Sequence, residues 1–267
     1  MDANLAIICL LTFIIHLIGT LAYSVRIAGV RTRRIAVSFA LFNILILVSR
    51  TSNSFQGPFL AKRVEEGLLH PSAHSLLTDF RWILLAASLA TVAGAVLIPT
   101  FQRVFSRAVL DFQAHRSVPK LRLRLCFRDG LSHFRESARL PAAGNVTSLA
   151  AGPGISSGMI ALNILAVALW TVGVFAAIYA GSLNPELRVT SSQLSALING
   201  FATILMFVVI DPQLSVMTDD VIDGKLSESS FRRVVVWLVG SRLAGTLMAQ
   251  LLLLPAARLI VWVAGIL

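Results

Sequence analysis

The residues Ser49-Arg50-Thr51-Ser52-Asn53-Ser54-Phe55-Gln56-Gly57-Pro58 interrupt an otherwise apolar stretch. Five apolar residues, 44–48, lead in, and Phe59, Leu60 and Ala61 resume the apolar text. A permanent cation and several amides and hydroxyls here could bind an anion and hydrogen-bond a polar ligand. Arg242 is a second cation inside an apolar run, and His16 is a titratable group inside a third. An arginine in mid-bilayer costs about 2.5–3.5 kcal/mol on insertion scales, so such residues face a bundle interior or a wet cavity. Asn53 lies three residues from Arg50 and shares its helical face, while Ser49 and Gln56 broaden that face. The pattern reads as a cavity wall, and Gly57-Pro58 is expected to break the helix after it.

The elements that position these residues follow from composition. Of 267 residues, 56% are hydrophobic and only 13% are charged. Mean hydropathy is +0.80. Soluble domains carry about a quarter charged residues. Several runs reach the roughly 20 residues needed to cross the hydrocarbon as a helix, and no alternating barrel strands are visible. The expected fold is therefore an all-α polytopic membrane protein. Six spans are predicted at 4–24, 35–56, 83–102, 157–181, 193–214 and 234–254. The N-terminal apolar run reads as a retained first span, longer than the core of a signal peptide. Residues 256–267, after Pro255, are too short to cross alone and read as a kinked extension or an interfacial helix.

Net charge is +10. The loops after spans one, three and five hold 16 of the 23 basic residues, against 5 on the opposite side. Positive-inside loading accounts for this, so nucleic acid is not an expected partner. It predicts both termini outside and the loop 103–156 in the cytoplasm. The chain divides into spans one to three (1–102), that basic loop, and spans four to six with the tail (157–267). Segment 121–128, Leu-Arg-Leu-Arg-Leu-Cys-Phe-Arg, alternates apolar and basic residues. It reads either as plain loop loading or as a surface for anionic lipids. An Asn-Val-Thr triplet at 145 matches a glycosylation acceptor that means nothing on the cytoplasmic side. Three spans on each side of the loop permit an inverted repeat. Cys9 and Cys126, isolated, make neither a disulfide framework nor a zinc site.

Depth follows from a rise of 1.5 Å per residue. Arg50 falls about 22 Å from the inner face, and Arg242 about 12 Å, with His16 at a similar mid-membrane depth. No carboxylate matches Arg50 or Arg242 in depth. Asp211 lies toward the inner end of span five. The neutralising charge is then expected from an anionic substrate. Asp219, Asp220 and Asp223 have a DDxxD spacing that could hold Mg²⁺ against a diphosphate, or could be a solvated acidic turn. No hydrolase or ATPase motif and no cluster of metal-ligating histidines is present.

The stretch 16–53, HLIGTLAYSVRIAGVRTRRIAVSFALFNILILVSRTSN, resembles the N-terminal region of the Amj family of bacterial lipid II flippases, the alternates to the MurJ type. The stretch 211–233, DPQLSVMTDDVIDGKLSESSFRR, is also similar to that family. The resemblance covers the whole chain. It implies a multi-pass protein of a bacterial cytoplasmic membrane that moves undecaprenyl-diphosphate-linked peptidoglycan precursor between leaflets, without a cofactor. On that reading Arg26, Arg31 and the following basic residues would capture the diphosphate. Arg242 would receive it at mid-depth and Arg50 near the exit, with Asn53 and Gln56 hydrogen-bonding sugar or peptide. His16 would be the one mid-membrane group able to carry proton coupling. Two other readings stay open: a Mg²⁺-dependent membrane enzyme acting on prenyl diphosphate, and an ion-coupled exporter of an anionic solute.

Overall fold

A computed structural model describes residues 2–70, 75–115, 135–142, 144 and 152–267. Segment 121–128, Cys126 and the triplet at 145 lie outside the described residues. The described chain is helical, and six helical segments are long and apolar enough to cross a membrane. They match the six expected spans and run longer than them.

Helix α1 (Ala3–Thr32) starts on Asp2, whose carboxylate accepts from the Leu5 N–H at 2.9 Å. Such a cap satisfies one of the orphan donors at a helix start. The helix stops at Arg33, which takes a left-handed φ of 54° and donates back to the Gly29 and Val30 carbonyls. After Arg34 the chain immediately enters α2 (Ile35–Leu69), making a tight helical hairpin. Helices α3 (Leu76–His115) and α4 (Ser157–Leu183) follow. Ser156 caps α4 by accepting from the Met159 N–H. The fifth span is broken into pieces. A 3₁₀ turn at Pro185–Leu187 leads to α5 (Arg188–Gln193) and α6 (Ser195–Ile204). A π-helical stretch, Leu205–Ile210, then joins α6 to α7 (Asp211–Ile222). Helix α8 (Glu228–Ala264) forms the sixth span.

One expectation needs correction, and one open choice is decided. Gly57-Pro58 does not break α2, which runs on to Leu69. Proline removes one N–H bond, but a broken helix in hydrocarbon would free many more backbone groups, so spanning helices carry prolines through. The same logic settles the tail: α8 passes through Pro255 and ends at Ala264. The irregular span is the fifth, where Pro212 sits harmlessly in the first turn of α7.

Helix α1 packs against α2 and α3, and α4 packs against the fifth span and α8. The first helix of each half is therefore its centre. Contacts of α3 with α8 and of α2 with α4 join the halves. The apolar core is layered. One cluster gathers Ile8, Leu60, Phe80, Phe175 and Leu253. Another gathers Ile27, Met159, Phe231 and Leu238 toward the other end. Small residues allow the closest approaches, as membrane helices require. At Gly245 of α8 an added Cβ would lie 2.7 Å from the Ile164 carbonyl and 2.8 Å from Val167 Cβ. Both are firm atoms of α4. Gly245→Val should therefore push α8 off α4, at a cost of about 1–3 kcal/mol. A drop in the thermal unfolding midpoint of the purified protein would register it.

One end of the bundle is tied by charge. Arg63 of α2 donates to Asp79 of α3, Nε at 2.9 Å and Nη2 at 2.8 Å. It also pairs with Asp2, the cap of α1. Arg63 and Asp79 are both buried. Three helices thus meet at one guanidinium.

Candidate functional site

Helix α2 and the fifth span are the least covered elements. Only 22% and 11% of their apolar windows are buried, against 56% for α4. Both lean on α4 and leave a groove between them, with a cavity at each end.

The first cavity has a volume of about 310 Å³. Tyr23, Arg26, Ser49, Asn163, Asp211 and Arg242 supply its polar lining, and residues 206–214 of the fifth span form one wall. Arg26 donates to Asp211 at 2.7 Å and lies 5.2 Å from the Phe39 ring centroid. Ser215 accepts a longer bond from the same guanidinium, 3.5 Å. This pair joins α1 to α7 across the mouth. Asn163 is fixed by donating to Ser241 Oγ at 2.6 Å and the Leu238 carbonyl at 3.3 Å.

Arg242 has only 7% of its surface exposed. Its Nε donates to Thr20 Oγ1 at 3.2 Å. Among the described residues no carboxylate pairs with it. Gly19 makes room for it: a Cβ there would overlap the guanidinium. The structure thus holds a buried cation against a cavity with its remaining donors uncommitted to any acid.

The second cavity, about 430 Å³, lies at the other end of the groove. Gly57, Ala61 and Glu65 of α2, Val174 and Ile178 of α4, and residues 188–195 of the fifth span enclose it. Arg188 and Glu65 pair across it at 3.6 Å, both partly exposed.

Between the cavities, α2 presents the stretch singled out by its polarity. Ser49 lines the first cavity and Gly57 the second. Asn53 is four residues from each, so it shares their helical face. Arg50, four residues after the lining residue Ile46, stands beside it. Arg50 and Asn53 are exposed, and the Arg50 side chain makes no hydrogen bond or ion pair among the described residues. From Ser49 to Gly57 is about 12 Å along the axis.

Other expected site residues lie elsewhere. Gln56 is buried and donates to Thr12 Oγ1 of α1 at 2.5 Å, off the groove. His16 is buried on α1, and its Nδ1 has no partner among the described residues. Arg31 pairs with Glu228 at 2.7 Å, and Glu228 also accepts from Arg232 at 2.5 Å. Asp219, Asp220 and Asp223 end α7. Lys225 reaches Asp223 at 2.9 Å and Asp220 at 4.0 Å. The Asp223 hydrogen bond holds the Lys225 ammonium above its ordinary pKa. Among the described residues no group of three or more acids, histidines or cysteines could hold a metal ion.

Sequence reasoning missed Tyr23, Asn163 and Thr20 as site residues. Asn163 carried a signal, an amide alone within the run 159–170. Tyr23 and Thr20 carried none, because such residues are common in packed helices.

Comparison with known proteins agrees with the earlier resemblance. The Amj (alternate to MurJ) family matches residues 11–264. The lipid II flippase Amj of Bacillus subtilis (strain 168) is 36% identical over 260 residues, which is 97% of this chain and 95% of that protein. No solved structure matches. With nearly the whole length matched on both sides, the chain belongs to the Amj family.

Proposed function

We propose that this protein is a lipid II flippase of a bacterial cytoplasmic membrane, moving the undecaprenyl-diphosphate-linked precursor from the inner to the outer leaflet. The carrying observation is Arg242: a buried guanidinium with no acid partner among the described residues, opening on a cavity at the side of a groove. A lipid diphosphate supplies the missing negative charge, and Arg recognises phosphate oxygens with paired donors. The same full-length similarity to a named lipid II flippase supports the reading.

The mechanism follows from the groove. The polyprenyl tail stays in lipid while the head group travels between α2 and the fifth span. By basic-residue bias the first cavity faces the cytoplasmic side, with both termini outside. Anionic lipids gather at the basic loops there. Arg26 meets the diphosphate first, exchanging Asp211 for phosphate oxygens. Arg242 holds it at mid-depth. Arg50 and Asn53 then offer a charge and an amide on the way to the second cavity. A cavity of about 310 Å³ is at the low end of the small-ligand range, about 300–1,000 Å³. It suits a diphosphate, not the sugars and peptide as well. The groove must widen in transit, and the helices with least packing are the ones that border it.

The test uses bacteria depleted of their own lipid II flippases. The protein and its Arg50→Ala form are expressed at matched membrane levels. Growth and cleavage of exposed lipid II by an external toxin are read. Rescue by the parent with at least tenfold less exposure by Arg50→Ala is expected. Rescue by both would remove Arg50 from the path and keep the function. No rescue by correctly inserted parent would sink the reading. The Mg²⁺-dependent enzyme would then return, with Asp219→Ala abolishing turnover as its signature.

A further inference from the structure

The two cavities differ in charge, and the difference assigns them different parts of a ligand. The first holds Arg26 and Arg242 against a single carboxylate, Asp211, so it is net positive. The second holds Arg188 and Glu65, so it is neutral overall but strongly divided. A diphosphate in the second cavity would gain Arg188 and be repelled by Glu65. A group carrying both a carboxylate and an ammonium would satisfy both walls at once.

The remaining lining fits such a group. Ser192, Gln193 and Ser195 of the fifth span bring two hydroxyls and an amide to one side. Val64, Val174, Ile178 and Val189 add apolar lining. That mixture matches a peptide, with amides to bond and small aliphatic side chains to cover. The Arg188–Glu65 pair is no obstacle. At 3.6 Å, with side chains 43% and 52% exposed, it belongs to the weak surface class, and a ligand can part it at little cost. Gly57 leaves the space open, since a Cβ there would meet nothing within 4 Å.

We infer that the second cavity is a peptide subsite, in which Arg188 takes a carboxylate and Glu65 an amino group of the peptide on the lipid-linked head group. This rests on the flippase reading above. It adds that the protein grips its cargo at two chemically distinct places, the diphosphate near Arg242 and the peptide near Arg188. Some of the specificity for a peptide-bearing lipid then resides at the far end of the groove from the phosphate.

The experiment uses the purified full chain in liposomes. Two probes are compared: lipid II with its complete peptide, and the same disaccharide diphosphate lipid without peptide. Translocation is read by accessibility to an external reagent. The expected result is that Arg188→Gln and Glu65→Gln each slow the peptide-bearing lipid about tenfold more than the peptide-free lipid. Arg188→Lys should recover most of the lost rate on the peptide-bearing lipid, because the carboxylate keeps a cation. Equal slowing of both lipids, or of neither, would overturn the subsite while leaving the flippase reading intact. An unsubstituted protein that moves neither lipid would overturn both. Thermal unfolding of each variant separates loss of fold from loss of selectivity, since a misfolded variant slows both lipids alike and Glu65→Gln then decides alone.

Discussion

Replacing Arg242 by Met should cut the outward movement of lipid II by about 30-fold or more, and should at the same time raise the unfolding midpoint. The first half follows from the role proposed for it. Losing a buried charge-assisted contact to a ligand costs about 2–5 kcal/mol, and each 1.4 kcal/mol is tenfold. The second half follows from burial. Arg242 is 7% exposed, with one hydroxyl bond and no acid partner among the described residues. A desolvated ion so poorly compensated destabilises its fold, and an apolar side chain of similar length relieves that cost. Methionine also fits irregular gaps. Opposite signs in the two measurements are the point. A purely structural Arg242 would show activity and stability falling together, and that outcome would remove it from the transport path.

Arg63 should behave the other way. Arg63→Met should destabilise the bundle by about 3–5 kcal/mol, the range for leaving one member of a buried ion pair without its partner. Asp79 would remain buried at 7% exposure with no guanidinium to meet it. Asp2 would suffer less, because it is partly exposed and still caps α1 through the Leu5 N–H. Adding Asp79→Leu to Arg63→Met should recover much of the loss, since two apolar groups then replace two charges. Thermal unfolding of the three proteins forms the cycle. Equal loss in the single and double variants would mean that Arg63 acts by packing and not by charge.

Much of this architecture was readable from hydropathy, because hydrocarbon leaves a chain few options. Six apolar runs gave six spanning helices, and their core positions were sound. Their lengths were not, since amphipathic ends such as 61–69 of α2 carry charges that hydropathy rejects yet continue the same hydrogen-bonded ladder. The prolines misled for the same reason. In water Gly57-Pro58 is a stop signal; between apolar neighbours the ladder resumes after it. The site was half visible. An arginine within an apolar run announces itself, so Arg50 and Arg242 stood out. Partner choice did not. Nothing in the spacing says that Arg26 meets Asp211, 185 residues away, or that Gln56 turns inward to Thr12. The second cavity was invisible, because Arg188 and Glu65 look like ordinary loop charges until the fifth span folds back beside α2.

The π-helical stretch Leu205–Ile210 sits directly before Asp211. Such a stretch bonds i→i+5 in place of i→i+4, so one turn of it inserts a single extra residue into a helix that otherwise takes about 3.6 per turn. One residue of register is therefore worth about 100° of rotation. Were the stretch to tighten to α geometry, every side chain from Asp211 onward would swing around its axis. Asp211 would leave Arg26, and the acidic end of α7 would face a new direction. The backbone would trade one ladder of hydrogen bonds for another, without unfolding. Such a change would rotate the inner half of the fifth span against α1 while α6 kept its packing on α4.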